Sequence, residues 1–231
     1  MENQEELMLK RHSMAHVLAK ALKSLYGDSL LLTIGPAIEN GFYYDIDMEK
    51  SITPDDYKAI EKKMDEIIYK NEDFVRKEVS KEQALEIFKD NKYKVELIEG
   101  LPETISLYYL GDDFVDLCRG PHVENTKFLR SFAFKINKVA GAYWRGDIHN
   151  KMLQRVYAYG FDNKQDLKDY LHLLEEAKKR DHRKIGREME LFFFDETAPG
   201  MAYWLPKGFT MMTTLIDFWR AEHRKCGYQE F

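Results

Sequence analysis

The run from Asn163 to Gly186 constrains this chain more than any other stretch. It is rich in Glu, Lys and Arg, holds no proline, and places Leu167, Tyr170, Leu171 and Leu174 at helical spacing. That spacing predicts one long helix with only a narrow apolar seam. A helix so polar around the rest of its circumference does not belong inside a core, so it is expected to be a spacer. The chain therefore divides into a first domain over residues 1–162, a linker helix over 163–187 and a C-terminal part over 188–231.

The first part reads as α+β. A helix is expected from about Glu5 to Tyr26, stopping at Gly27-Asp28, with Leu7, Met14, Leu18, Leu22 and Leu25 as its apolar stripe. Leu30–Ile34 and Phe42–Asp47 read as strands around Gly35-Pro36 and Asn40-Gly41. Thr53 and Pro54 open a second helix whose buried face is Tyr57, Ile60, Met64, Ile67 and Ile68. Phe74–Val79 reads as a strand, and Ser80 with Gln83 forms a capping box for a short helix to about Lys89. From Tyr93 to Tyr159 the pattern is mainly β, with alternation at Phe132, Phe134 and Ile136 and again at Met152, Gln154 and Val156. Together these predict a sandwich of helices on one face of a largely antiparallel sheet. In the C-terminal part, Leu191–Phe194 reads as a strand, Phe209–Cys226 as an amphipathic helix and Tyr228–Phe231 as the start of a further strand, so this part is expected to be an incomplete domain.

With 44% hydrophobic and 32% charged residues, the chain has the composition of an ordinary folded protein, not of a disordered one. Two cysteines exclude a disulfide framework, and no apolar run approaches the roughly 20 residues that span a bilayer. The acidic start, Met1-Glu2-Asn3-Gln4-Glu5-Glu6, lacks the pattern of a signal peptide, so a cytoplasmic protein without a membrane partner is expected. A net charge of −5 offers a polyanion no overall attraction. An RNA partner would need a local patch, and Lys178-Lys179-Arg180-Asp181-His182-Arg183-Lys184 with Arg187 is the candidate; the plain alternative is a solvated helix face.

Chemistry concentrates in two pairs. His12 and His16 lie one helical turn apart, on a face away from Leu18 and Leu22 and beside the small Ala15 and Ala19. They are expected on the non-core side, as a pocket wall. In Phe114-Val115-Asp116-Leu117-Cys118, period two puts Phe114, Asp116 and Cys118 on one strand face, and Arg119-Gly120-Pro121 then turns the chain into His122. Three readings compete for this quartet: zinc ligation, a cysteine nucleophile with a histidine base, or a polar pocket that positions water for ester hydrolysis. The second needs a further group to orient the base. Spacing alone leaves all three open, beside two bland ones: exposed histidines and a structural cysteine.

His12-Ser13-Met14-Ala15-His16, Gly41-Phe42-Tyr43-Tyr44-Asp45, Asp116-Leu117-Cys118-Arg119-Gly120-Pro121-His122, Gly141-Ala142-Tyr143-Trp144-Arg145-Gly146-Asp147 and Lys151-Met152-Leu153-Gln154-Arg155, in this order, resemble the editing domain of threonyl-tRNA synthetases. Arg180-Asp181-His182-Arg183-Lys184-Ile185-Gly186 resembles that family's linker. Pro199-Gly200-Met201 and Trp204-Leu205-Pro206-Lys207-Gly208 resemble the opening of its class II catalytic domain. The resemblance runs from about Arg11 to the end. It implies an editing-domain sandwich, the linker helix and a truncated class II α/β domain.

The resemblance also implies a function. The family attaches threonine to its tRNA using ATP, magnesium and a catalytic zinc, and the editing domain hydrolyses serine wrongly attached to that tRNA. Serine lacks one methyl of threonine, and fit alone excludes a smaller side chain by only about 1–3 kcal/mol, so a second, hydrolytic site is warranted. His12, His16, Cys118 and His122 correspond to the editing pocket, with Asp116 beside them and Lys94 of Tyr93-Lys94-Val95 matching a pocket lysine. A histidine and Lys94 are expected to give acid–base help to a water attacking the ester. Tyr44 and Arg119 are candidate substrate contacts, although Tyr44 equally suits the core, on one strand face with Phe42 and Ile46. The family's pocket is read as needing no metal, whereas related alanyl-type domains hold zinc on a similar quartet, which keeps His12, His16, Cys118 and His122 as alternative zinc ligands. Too few residues precede His12 for the family's small ubiquitin-like domain, and the regions for ATP, the tRNA end, the catalytic zinc and the anticodon are expected beyond Phe231. Thr213–Phe231 matches only the helix and strand of the first class II motif, which pairs subunits in the family. Editing without aminoacylation is thus expected of this chain, with a homodimer for the full enzyme. A free-standing deacylase and a non-catalytic tRNA-binding or dimerising module are the other readings.

Overall fold

A computed structural model describes residues 2–230, which divide into two compact units between Lys168 and Asp169. The first unit is built around α1 (Glu2–Tyr26). Its larger sheet is antiparallel and comprises β1 (Leu31–Leu32), β2 (Ala37–Ile38), β3 (Gly41–Asp47), β7 (Ala133–Tyr143) and β8 (Met152–Phe161), in the order β1-β3-β8-β7 with β2 also on β3. Helix α1 packs on β3 and β8, and α2 (Tyr57–Tyr69) packs on α1 and β7. Alternation along the strands turns Phe42, Tyr44, Ile46, Ile136, Val156 and Ala158 inward, where they meet Met14, Leu18 and Leu22 of α1 and Ile60, Met64 and Ile67 of α2.

A second antiparallel sheet, β4 (Phe74–Ser80), β5 (Thr104–Leu110) and β6 (Val115–Leu117), replaces the single sheet that the alternation predicts. Its separation has a physical cause. Ile105 and Leu107, with Val115 and Leu117 beside them, face a small core of their own with Ala84, Phe88 and Ile98, supplied by α3 (Lys81–Ile87) and α4 (Lys92–Glu99). The expected capping box opens α3: Gln83 N donates to Ser80 Oγ at 3.2 Å, and the Gln83 side chain accepts from Ser80 N at 3.0 Å. Helix α4 is a correction, since residues 92–97 alternate as a strand would. Asn91 decides for the helix by capping it, its side-chain oxygen accepting from the backbone N–H groups of Tyr93 and Lys94 at 3.2 and 3.3 Å.

The expectation of a one-sided α1 is also overturned. Every residue from Ser13 to Leu22 is buried, because β4–β6 and the loop after β6 cover the face turned away from the larger sheet. Leu25, counted in the apolar stripe, is exposed instead. On the covered face, the buried Lys20 ammonium donates to Glu72 at 2.6 Å, Asp113 at 2.5 Å and the Leu110 carbonyl at 2.8 Å, which satisfies all three of its protons.

The long polar helix is two helices. α5 (Lys164–Lys179) buries none of its residues, and α6 (His182–Glu188) starts anew where the Asp181 side chain accepts from Arg183 N at 2.8 Å. In the second unit, β9 (Phe192–Phe194) pairs with β10 (Ala202–Trp204), a strand the sequence reading lacks, and α7 spans Pro206–Lys225. Proline at the first turn suits α7, since no partner is lost there. Residues 228–230 are not a strand, and Phe231, the last residue of that expected strand, lies outside the described residues.

Candidate functional site

The two pairs meet in the first unit. His12 and His16 present their rings 5.4 Å apart along α1, and His122 comes within 4.3 Å of each, centroid to centroid. Cys118 Sγ lies 3.3 Å from His122 Nε2 and 3.4 Å from His12 Nε2, and accepts from Gly120 N at 3.2 Å. Period two accounts for the approach: Phe114, Asp116 and Cys118 face α1, whereas Val115 and Leu117 face the small core. The turn then returns His122 to the cysteine. Gly120 is required there twice over, since its φ is +70° and a Cβ would lie 2.2 Å from the Tyr108 hydroxyl.

Beneath the quartet lies a buried polar group. Lys94 Nζ donates to Asp116 Oδ1, Leu117 N donates to the same oxygen at 2.8 Å, and Tyr44 Oη donates to Oδ2 at 2.5 Å. His16 Nδ1 stands 3.6 Å from that second oxygen and, among the described residues, has no hydrogen-bond partner. Lys94 and Asp116 are each 2% exposed and Tyr44 is fully buried. Tyr44 is thus packed in the core, with its hydroxyl on Asp116, as the core reading of this residue expects.

Burial governs protonation here. It holds His16 well below the usual imidazole range, with the charges of His12 and Lys94 adding to the effect. It lowers His12, and it pushes His122 down to about 2, helped by the two neighbouring imidazoles. It raises the Cys118 thiol. At neutral pH the quartet is therefore three neutral imidazoles and a thiol: proton acceptors and a weak donor, without a thiolate.

Three residues that sequence reasoning left without a role fix His122. Phe74 stacks on its ring at 5.1 Å and 12°, Tyr108 meets it edge-on at 4.5 Å, and the Ser13 hydroxyl lies 3.2 Å from its Nδ1. Ser13 sits within the His12–His16 motif, and that proximity is the only sequence signal for any of the three.

The site opens at His12, Cys118 and His122, which are partly exposed. Cys118 borders a groove of about 440 Å³ floored by Leu97, Leu101 and Ile105 and carrying Arg76 and Arg119. His12 borders a wider one of about 760 Å³ that carries Glu5 and Glu39. Arg76 is paired with Glu78 at 2.8 Å, and Arg119 is exposed. The basic segment before Gly186 offers less than its composition suggests. Lys179 and Arg180 pair with Glu176, Arg183 with Asp181 and Lys184 with Glu188, all within 4.0 Å.

The quartet also suits a metal. Its ligand atoms all lie within 4.8 Å of one another, and the two sulfur–nitrogen separations match the roughly 3.5 Å expected between ligands of tetrahedral zinc.

Among the described residues, no helix is long and apolar enough to cross a membrane. Residues 105–157, which carry Asp116, Cys118 and His122, match the domain family described as the threonyl and alanyl tRNA synthetase second additional domain. The chain is 52% identical over 225 residues to a threonine–tRNA ligase of Fusobacterium nucleatum, covering 95% of the chain and 36% of that protein. To the threonine–tRNA ligases of Lawsonia intracellularis and Clostridioides difficile it is 52% and 50% identical over 232 residues, 99% of the chain and 36% of each. It thus spans about a third of the length of the curated relatives it matches. Identity at this level, over an alignment that takes in nearly the whole chain, matches it to one stretch of the threonine–tRNA ligases, as a threonyl-tRNA synthetase fragment would match.

Proposed function

We propose that the first unit hydrolyses the ester joining serine to the 3′ end of threonine-specific tRNA, the proofreading step of a threonine–tRNA ligase. One observation carries the reading: three neutral imidazoles and a thiol converge at an opening directly above a buried lysine–aspartate pair. A neutral imidazole accepts a proton from water as the water oxygen bonds to the ester carbonyl carbon. The carbon–oxygen bond to the ribose then breaks, and the same imidazole returns the proton to the ribose oxygen, releasing free serine. Lys94, fixed by Asp116, supplies positive charge below the carbonyl without reaching the surface. Cys118, a thiol and not a thiolate, acts as a hydrogen-bond donor and not as the nucleophile. Arg119 is the cation that the first groove offers to the phosphates of the RNA end, since Glu78 in the same groove pairs with Arg76, and the carboxylates of the other groove disfavour them. Attachment of threonine with ATP, magnesium and the catalytic zinc, and subunit pairing, belong in this reading to the full cytoplasmic enzyme.

The quartet's spacing favours a second version of the same activity, in which zinc sits on His12, His16, Cys118 and His122. Zinc held by three of the four would keep a position open for a water and would make that water more acidic. Steady-state hydrolysis of serine from threonine-specific tRNA tests the reading. The unsubstituted chain should turn over, and His122→Ala should lower kcat by about 10²-fold or more. RNA binding without turnover in the unsubstituted chain would instead identify a binding module. Zinc content of the same sample, and activity after chelation, separate the two versions.

A further inference from the structure

A neutral imidazole carries a single N–H, so whether His122 can accept a proton at the pocket depends on which ring nitrogen holds it. Its Nε2 faces Cys118 and its Nδ1 faces Ser13. The Ser13 hydroxyl has three neighbours. It accepts from the backbone N–H of Val123 at 3.0 Å, lies 3.0 Å from the Leu9 carbonyl one helical turn back, and lies 3.2 Å from His122 Nδ1. A carbonyl only accepts and an amide N–H only donates, which leaves two self-consistent proton arrangements.

In the first, Ser13 donates to Leu9, His122 Nδ1–H donates to Ser13, and the Cys118 thiol donates to the bare Nε2. In the second, Ser13 donates to Nδ1, Nε2–H donates to the sulfur, and the thiol turns to His12 Nε2. The second arrangement spends the imidazole N–H on a thiol sulfur, a weak acceptor that already takes the Gly120 N–H. The first gives the same N–H to a hydroxyl oxygen, while the hydroxyl and the thiol each donate once in either arrangement. Oxygen is the stronger acceptor, and the first arrangement wins.

We infer that Ser13 is a positioning residue that holds His122 as the Nδ1–H tautomer and so presents Nε2 to the pocket as its proton acceptor. Ser13 thereby supplies the orienting partner that a histidine base requires, from α1 instead of from a carboxylate. Asp116 is not available for this, being held by Lys94, Tyr44 and Leu117. The consequence for rate rests on the hydrolysis reading; the tautomer does not.

The test is a long-range ¹H–¹⁵N correlation spectrum of the full chain labelled at histidine, with chelator present and His122 assigned by substitution. Expected are a protonated Nδ1 and an unprotonated Nε2 in the unsubstituted chain and in Ser13→Thr, which keeps the hydroxyl. Ser13→Ala should shift population to Nε2–H and lower kcat for serine release by about tenfold or more, with KM little changed. An unprotonated Nδ1 in the unsubstituted chain overturns the inference even if no variant folds, and so does an unaltered tautomer in a folded Ser13→Ala. The expected tautomer in a chain that does not hydrolyse the ester would leave the inference standing and remove the proposed function. Hydrolysis by a chain with the opposite tautomer would do the reverse.

Discussion

Protonating His12, His16 or His122 in the folded chain places a cation in a pocket that is largely shielded from water, whereas in the unfolded chain each titrates near the ordinary value of about 6.5. All three folded values are lowered, so the unfolded chain binds more protons than the folded one below about pH 6.5. Stability therefore rises with pH through that range. It is fully present above about 6.5 and is lost as pH falls, at up to about 1.4 kcal/mol per pH unit for each histidine. Urea midpoints with chelator present should drop clearly between about pH 7 and about pH 5, and His122→Asn should flatten the slope; equal midpoints at both pH values would sink the assignment. The buried pair beneath behaves differently. Asp116→Asn leaves Lys94 buried without its counter-charge and should cost about 3–5 kcal/mol by urea unfolding, whereas the double change Lys94→Met, Asp116→Leu should recover much of that loss. At this scale the sequence was legible wherever side-chain direction follows a strict period. The split of Phe114, Asp116 and Cys118 from Val115 and Leu117 is correct to the residue. Tyr44 was less legible, because a strand face shows which way a ring points and not how deeply it is covered. Ser13 was not legible at all, since its role depends on a carbonyl, an amide and an imidazole that no local pattern brings together.

Among the elements, α4 shows where periodicity misleads. Lys92, Lys94 and Glu96 alternate with Tyr93, Val95 and Leu97, which is the pattern of a strand, yet burial falls on Tyr93, Lys94 and Ile98 at helical spacing. The overriding signal is Asn91, which caps the helix and also donates from its side chain to the Leu32 carbonyl at 2.8 Å. One residue thus starts the helix that carries Lys94 and ties it to the strand before β2. Asn91→Ala should cost about 1–2 kcal/mol and, by loosening the seat of Lys94, reduce serine release more than it reduces stability. Asn91→Asp keeps the cap but loses the donor to the Leu32 carbonyl, and should restore only part of each. Equal activity in Asn91→Ala and the unsubstituted chain would detach α4 from the chemistry. Asp181 repeats the lesson, for its cap divides a run whose composition reads as one continuous helix.

At the scale of the whole molecule, the chemistry and the apolar surface fall in different units. Every residue of the quartet, with Lys94, Asp116, Tyr44 and Ser13, lies before Lys168, and so do all three hydrophobic core clusters. The second unit has little core to bury. Among the described residues of α7 only Gly208 is buried, while Phe209, Met211, Leu215, Phe218 and Trp219 are each more than half exposed. Covering that much apolar surface lowers the free energy, and a second copy of the same helix is the partner always present. The chain should therefore sediment as a concentration-dependent dimer, and Leu215→Lys with Phe218→Glu should return it to a monomer. Residues 1–168 alone should stay monomeric, unfold in one cooperative transition and release serine from threonine-specific tRNA with kcat within about threefold of the whole chain, because no group that the proposed step uses lies outside them. Loss of turnover in a folded 1–168 piece would mean that the second unit contributes to catalysis and would move part of the active site across the division at Lys168.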